Sequence, residues 1–453
     1  MKRWMWVALA ALVVIAAGVS LIAVPKGPEW TSSSPEAVAE FQAGMDAEMK
    51  VYLEDAQRYY RRAVELDPDF VIANLFAIDG YHDDEERRAA MWSVIENADL
   101  SQLTPRERFF VETARARHEK RTEDAERLLD EYLAEYPNDP YILHRKALRT
   151  WGRGDLDEAE RLNLRLVEIS PNWVIAYNQL GYINMMKGRF AEAEEYFKSY
   201  RFIAPDQANP YDSLGELFIT LGRYAEARES LDKAIEVKPD FWAAYEHLAI
   251  MASFGGDFAL LEETLERLRA AGGPEPVVVG VECLKDYSEL RSAGAWKEIV
   301  DRADSICVEG FREGFSAVTT HFAASKLGNW ELAEAMEAGA QQLLEKAAKA
   351  PDKRSSMAVR GILRHMEGVR LALQGDLESA EAKLREADES LTYMETSIAV
   401  FKLQNRLALS EVLLAGGQDA DAHALLSKVR SVNPVLVAEF EDAGLKELGL
   451  KRM

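Results

Sequence analysis

The sequence is poor in the residues and motifs that catalysis and metal binding require. It has only two cysteines and no C-x-x-C pair, and its seven histidines form no H-E-x-x-H motif or other metal-ligand spacing. It also lacks the G-x-S-x-G nucleophile elbow, the G-x-x-x-x-G-K-[ST] phosphate loop, and the H-R-D and D-F-G motifs of protein kinases. We therefore predict a protein that is not an enzyme and that uses no metal or cofactor.

An excess of positive charge is missing as well. The chain has 54 Lys and Arg against 77 Asp and Glu, and its formal net charge is −23. Phosphate binding needs clustered basic residues, so a nucleic-acid partner is not expected, and basic or neutral partners are favoured. The acidic residues are interspersed with basic and apolar residues at helical spacing, which argues against disorder. We interpret the many carboxylate pairs as solvated helix faces.

The sequence does have a regular period over its middle part. Four prolines recur every 34 residues, at Pro137, Pro171, Pro205 and Pro239. Between them, small residues such as Gly181 alternate with bulky ones such as Phe197 at the spacing of one helix face. Each proline stands where a helix must end, because it lacks an N–H and has a fixed φ. The pattern predicts helix hairpins whose apolar side only a neighbouring hairpin can cover.

Two units carry a recognisable motif. They read Tyr177-x2-Leu180-Gly181, Ala193-x3-Phe197, Pro205 and Tyr211-x2-Leu214-Gly215, Ala227-x3-Leu231, Pro239. This motif and the period of 34 residues closely resemble the tetratricopeptide repeat family. The resemblance implies an all-α fold, an α-solenoid in which helix hairpins form a right-handed superhelix. The blocks AVELDPDFVIANLFA and LTPRERFFVETARA also resemble repeat regions outside the cytoplasm in some bacterial membrane kinases and cyclases.

The N-terminus carries an apolar segment. Residues 4–24 contain no charge, follow Lys2 and Arg3, and begin with two tryptophans. A run of this length can cross a bilayer as a single helix. The positive-inside rule then places residues 1–3 in the cytoplasm and the repeats on the periplasmic, extracytoplasmic side of the inner membrane. The alternative is a signal peptide, cleaved near Ala16-Ala17-Gly18, that leaves a periplasmic or secreted protein.

The rest of the chain is predicted to consist of repeats. We expect a linker at 25–35, an N-terminal array at 36–270, degenerate hairpins at 277–349, and C-terminal repeats with a capping helix at 355–448. Thr104, Pro105 and Glu107 predict a capped helix start. About eleven hairpins and a terminal helix at 435–448 are expected. Glycines that suit helix C-caps mark the hairpin turns at Gly154, Gly188, Gly222, Gly256, Gly294, Gly328, Gly375 and Gly417.

The family resemblance also implies a binding groove. In that family the first helix of each hairpin lines a concave surface with its second, fifth, ninth and twelfth positions. The corresponding groove residues here are Tyr141, His144, Trp151, Asn178, Tyr182, Met185, Asn209, Asp212 and Glu216. Such a groove suits a protein or peptide partner with an apolar anchor beside Lys or Arg. The alternative is that several of these side chains pack between repeats.

The two cysteines lie at nearly equal distances from the turn expected at Gly294. Cys283 and Cys307 could therefore face each other across antiparallel helices. A disulfide is plausible outside the cytoplasm, and the alternative is two small core residues.

Two functions from different classes are consistent with this sequence. The first is a membrane-anchored scaffold that mediates protein–protein interactions in the bacterial cell envelope. The second is a sensory or regulatory repeat module of a membrane signalling system, in which a ligand alters the stack of hairpins.

Overall fold

The computed structural model describes residues 29–82, 84–303, 315–350, 352–394, 396–444 and 448–450. Within these ranges the regular structure consists of 23 α-helices and two short 3-10 helices at Ile78–Tyr81 and Leu100–Gln102, without a strand. The predicted all-α class is confirmed. The helices are α1 (Pro35–Met49), α2 (Leu53–Leu66), α3 (Val71–Ala77), α4 (Glu85–Glu96), α5 (Pro105–His118), α6 (Thr122–Glu135), α7 (Pro140–Gly152), α8 (Leu156–Ile169), α9 (Val174–Met186), α10 (Phe190–Ile203), α11 (Asn209–Thr220), α12 (Tyr224–Val237), α13 (Trp242–Phe254), α14 (Phe258–Ala270), α15 (Glu275–Ser292), α16 (Trp296–Asp301), α17 (Phe315–Lys326), α18 (Trp330–Ala347), α19 (Arg354–Gln374), α20 (Leu377–Ser390), α21 (Thr396–Ala415), α22 (Asp419–Val432) and α23 (Pro434–Asp442).

The described helices form eleven consecutive pairs followed by α23, as the spacing of turns predicted. All eight glycines predicted to mark hairpin turns have a positive φ, between 64° and 91°. Glycine adopts this left-handed conformation without steric cost, so it ends one helix and allows the chain to reverse. The turn glycines therefore fix the hairpin pattern even where the repeat motif is absent.

The contacts divide the chain into two compact units, of which the first ends at Pro137 and the second begins at Asn138. This division lies inside the array predicted at 36–270. The described part of the first unit contains α1 to α6, and that of the second contains α7 to α23.

The described end of the predicted linker is bound to the first unit. The Thr31 backbone N–H and hydroxyl donate to the two carboxylate oxygens of Glu107 at 2.6 and 2.7 Å. Glu107 is fully buried, and it also accepts from the backbone N–H of Thr104 in the predicted capping box of α5, which is confirmed. Trp30 is buried against the ring of Phe41. Residues 30 and 31 are therefore part of the packed unit rather than a free tether.

The terminal helix is shorter than the predicted 435–448. It begins at Pro434 and ends at Asp442, and Gly444 adopts a φ of 73° that does not continue a helix. Beyond it, the backbone N–H groups of Leu448 and Leu450 each donate to Glu411 at 2.6 Å. A side-chain carboxylate therefore replaces helical hydrogen bonding there.

Several predictions concern residues that the structure does not describe. Residues 1–3, the apolar segment at 4–24 and Cys307 lie outside the described ranges. Among the described helices, none is long and apolar enough to span a bilayer. Cys283 is buried in α15. The membrane anchor and the disulfide stay predictions.

Helices within a hairpin approach closely at glycine. A Cβ at Gly181 of α9 would collide with the ring of Phe197 in α10, which is fully buried. At Gly215 of α11, a Cβ would lie 2.6 Å from Cγ of Leu231 in α12. Both contacts recur with the period of 34 residues, so the small residue of the motif is required by packing.

We expect Gly181→Ala to destabilise its hairpin by about 1–3 kcal/mol, because the added methyl overpacks the interface with Phe197. Gly339→Ala is the matched control. Gly339 lies in α18 with open space around its Cα, so alanine there should stabilise the helix by about 0.5–1 kcal/mol. Hydrogen exchange of peptides from α9, α10 and α18 in the purified chain measures both changes. Similar effects in the two variants would contradict the packing argument.

Candidate functional site

The nine predicted groove residues lie on α7, α9 and α11, the first helices of three consecutive hairpins in the second unit. Most of them are inaccessible to solvent. Tyr141 and Tyr182 are half-buried, and the other seven are buried, namely His144, Trp151, Asn178, Met185, Asn209, Asp212 and Glu216. The structure brings them together on one side of the stack. Their role in peptide binding stays a prediction.

Three of these residues form polar contacts with the next hairpin. The Gln179 side chain lies 3.3 Å from Nδ1 of His144, and the Ser213 hydroxyl donates to the Asn178 side-chain oxygen at 3.3 Å. His247 Nδ1 lies 2.8 Å from an Asp212 oxygen. In each case the fifth position of one helix meets the sixth position of the equivalent helix, 35 residues later. We call these contacts the inter-repeat polar ladder.

The polar ladder was not predicted, although a signal for it exists in the sequence. Polar residues at a separation of one repeat plus one residue are adjacent when equivalent helices stack in register. Buried polar side chains need hydrogen-bond partners, and the neighbouring repeat supplies them. Scanning the repeats for polar pairs 35 residues apart would have found Gln179, Ser213 and His247.

The C-terminal part of the second unit covers this inner side. Met394 packs in a buried cluster with Trp151 and Ile183, and Arg354 lies 4.5 Å above the Trp151 ring. The Asn433 side-chain amide donates to the carbonyl oxygen of Thr220 at 3.3 Å. The chain itself thus covers much of the surface that the sequence assigned to a peptide.

The strongest electrostatic feature is a buried cluster of Asp212, Glu216 and His247. His247 Nδ1 is 2.8 Å from Asp212 and Nε2 is 3.0 Å from Glu216, so one imidazole bridges two carboxylates. The carboxylates are 3% and 5% exposed as whole residues, which makes them costly to leave unpaired. Tyr182 donates to the Ser213 hydroxyl beside them, at 3.3 Å. We call the three residues the His247 cluster.

The His247 cluster favours a charged imidazole. Burial alone would lower the pKa of His247, but the charges and hydrogen bonds of Asp212 and Glu216 outweigh it and raise the pKa well above its ordinary value. His144 differs, because burial beside no carboxylate lowers its pKa to about 3 and keeps it neutral. The protonated His247 therefore neutralises part of the buried negative charge.

The same three residues offer the ligand types of a metal site. One donor atom from each lies within 4.8 Å of the others. Both ring nitrogens, however, already face a different carboxylate, and a metal requires a deprotonated nitrogen with a free lone pair. Metal binding would require the imidazole to lose a proton and one of its contacts, so the geometry fits an ion-pair cluster better.

Comparison with known families supports the repeat assignment. Two models described as tetratricopeptide repeat match residues 144–208 and 208–241, the segment that contains the polar ladder. The chain contains tetratricopeptide repeats. In general, repeats of this kind bind other proteins, and the repeat proteins are typically scaffolds rather than enzymes. A search of curated proteins found no match.

Solved structures with a similar arrangement share little sequence with this chain. "MamA RS-1 ArsTM double mutant" is 20% identical, with a TM-score of 0.32, over 37% of this chain and 94% of its own. "Crystal structure of APC/C hetero-tetramer Cut9-Hcn1" is 14% identical, with a TM-score of 0.46, over 90% and 76% of the two chains. "Structure of Naa15/Naa10 bound to HypK-THB" is 14% identical, with a TM-score of 0.28, over 73% and 64%. At these values the likenesses indicate nothing about function.

We expect His247→Leu to lower the free energy of unfolding by about 3–5 kcal/mol, because it leaves two buried carboxylates without their cation. His423→Leu is the control, since His423 lies on the exposed side of α22 and its loss should change stability by only about 0.5 kcal/mol. Urea unfolding followed by tryptophan fluorescence compares them. Equal losses in the two variants would be inconsistent with a stabilising role of the His247 cluster.

The raised pKa of His247 also predicts a pH dependence. Its contribution to stability is fully present below the unfolded pKa of about 6.5 and is lost as pH rises through the higher folded pKa. The urea midpoint of the native chain should therefore fall at alkaline pH relative to that of His247→Leu. A constant difference between the two proteins from pH 6 to pH 10 would refute this linkage.

Proposed function

We propose that this chain is a non-enzymatic scaffold that holds another protein at the bacterial cell envelope. The observation that carries the proposal is the match of residues 144–241 to a repeat that binds proteins. The uncharged run at 4–24, after Lys2 and Arg3, supports an anchor in the inner membrane with the repeats on the periplasmic side. If that segment is a cleaved signal peptide, the same scaffold is periplasmic or secreted.

The partner surface is proposed to lie on the outer helices rather than on the nine groove residues. A partner could reach those residues only if Met394 and its neighbours moved away from Trp151. The second helices of the hairpins are more accessible, and Phe202 at the end of α10 is 86% exposed. Glu195, two helical turns before it on the same face, is exposed too. An apolar side chain beside acidic ones complements a partner that presents an apolar anchor near Lys or Arg.

A sensory module is the second candidate function. It is favoured by a cavity inside the second unit, where a small molecule would contact helices from several hairpins at once. A ligand in that position could alter how the hairpins stack, as the sequence-based alternative requires.

We expect Phe202→Ser to reduce capture of a specific partner by about tenfold, equivalent to about 1.4 kcal/mol, when the full-length chain is used as bait for solubilised membranes. Leu327→Ser is the matched control, because Leu327 is also exposed but lies at the end of α17. Capture should decrease as salt is raised, since the acidic surface attracts basic residues. Equal recovery with both variants, or no sensitivity to salt, would argue against this surface.

A further inference from the structure

The inter-repeat polar ladder stops where α13 meets α15. Asp212 bonds to His247, but the next pair in the same register is Glu246 and Val281, and valine offers no hydrogen bond. The following fifth position is Gly280, which has no side chain to fill the inner face. The contacts that join the first helices of earlier hairpins are therefore interrupted at this point.

A cavity of about 310 Å³ occupies the interrupted region. It is lined by the fifth and ninth positions of α13 and α15, which are Glu246, Ile250, Gly280 and Leu284. These are the positions that the family resemblance assigns to a groove, displaced by one and two further repeats. The helices α17, α19 and α21 form the opposite walls, with side chains such as Val318, Ile362, Ile398 and Phe401. The cavity is thus a segment of the predicted groove that the chain leaves unfilled.

The size and the walls of the cavity restrict what it can hold. Its volume is about ten times the 30 Å³ that one water occupies in the liquid, so a ligand of roughly ten to fifteen heavy atoms fits. Most of the lining side chains are aliphatic or aromatic, a composition typical of small-molecule sites with a few polar groups that fix orientation. A folded partner or an extended peptide is too large for this space.

Polar side chains lie at opposite ends of the cavity. Arg291, in the last turn of α15, and Gln404 line both this cavity and a smaller one next to it, so they mark one end. Glu246 and the exposed Ser397, each in the first turns of its helix, mark the other end. Arg291 also lies 5.4 Å from the ring of Phe322. A guanidinium has five N–H donors, and it can therefore keep its existing contacts and still bind a carboxylate.

The surroundings of Arg291 favour an anionic ligand. His365 borders the smaller cavity, and burial lowers its pKa to about 4, so it is neutral at physiological pH. Glu337 already bonds to Arg370 at 2.8 Å, and Glu411 already accepts the backbone N–H groups of Leu448 and Leu450. At the other end, burial raises the pKa of Glu246, which reduces its charge where the apolar part of a ligand would lie.

We propose that this cavity binds a small apolar carboxylate of the medium-chain fatty acid class. Its carboxylate accepts from Arg291 and Gln404, and its hydrocarbon chain extends between Ile250, Leu284 and Phe401 toward Glu246. The site is distinct from the partner surface at Phe202, and a ligand in it contacts α13, α15 and α21 together.

The test uses decanoic acid with a photoreactive diazirine at the end of its chain. The full-length protein in membranes is irradiated with this probe, and the labelled residues are identified by mass spectrometry. Labels are expected on α13 or α21 near Glu246, and excess decanoate should remove them while decan-1-ol does not. Labels elsewhere, or equal competition by decan-1-ol, would overturn the proposal.

Two variants sharpen the test. Arg291→Gln should reduce the site-specific labelling by about tenfold, because the ligand loses its charge-assisted hydrogen bonds. Arg302→Gln is the matched control, because Arg302 does not line the cavity and bonds to Glu298 instead. Ile250→Trp fills the cavity and provides a second test if Arg291→Gln does not fold. Thermal melts identify folded variants, and unchanged labelling in folded Arg291→Gln and Ile250→Trp would exclude this site. No partner protein is involved, so the outcome is independent of the proposed scaffold function.

Discussion

Every hairpin of the second unit depends on its neighbour to cover both an apolar face and a row of polar side chains. The apolar requirement is met by close approach within each hairpin, where Gly181 and Gly215 admit Phe197 and Leu231. The polar requirement is met across hairpins, where the fifth position of one helix bonds to the sixth of the next. Both requirements act in one register, because a shift of one residue would separate His144 from Gln179 and Asp212 from His247. The repeat length is therefore fixed by side-chain chemistry as well as by helix geometry.

The features that could be predicted from sequence are those encoded by nearby residues. The turn glycines and the capping box at Thr104 each need only a few adjacent residues, and the described structure has them. The eleven hairpins follow because the turns recur at intervals that admit only paired helices. The end of α23 was predicted too late, since the signal of Gly444 was not weighed against the apolar residues around it.

The covering of the inner face could not be predicted in this way. Asn433 and Thr220 are 213 residues apart, and no pattern around either residue indicates the other. Met394 likewise belongs to a turn without a repeat motif, yet it packs with Trp151 and Ile183. Repeats predict how each hairpin meets the next one, but contacts between distant hairpins depend on the accumulated rotation along the stack. The groove residues were thus correctly placed on one side, while their burial by the chain itself was not foreseen.

The same distant contacts connect the proposed ligand site with the stability of the second unit. The cavity is bounded by helices from five different hairpins, so a bound ligand contacts parts of the chain that have no local reason to stay together. A ligand that binds only this arrangement stabilises it by RT ln(1 + [L]/Kd), about 2.7 kcal/mol at one hundred times Kd. The partner surface proposed on the outer helices lies apart from those walls, and the scaffold could respond to such a ligand only through the packing of its hairpins. An effect of the ligand on partner binding therefore requires two arrangements of the stack with different affinities for the partner.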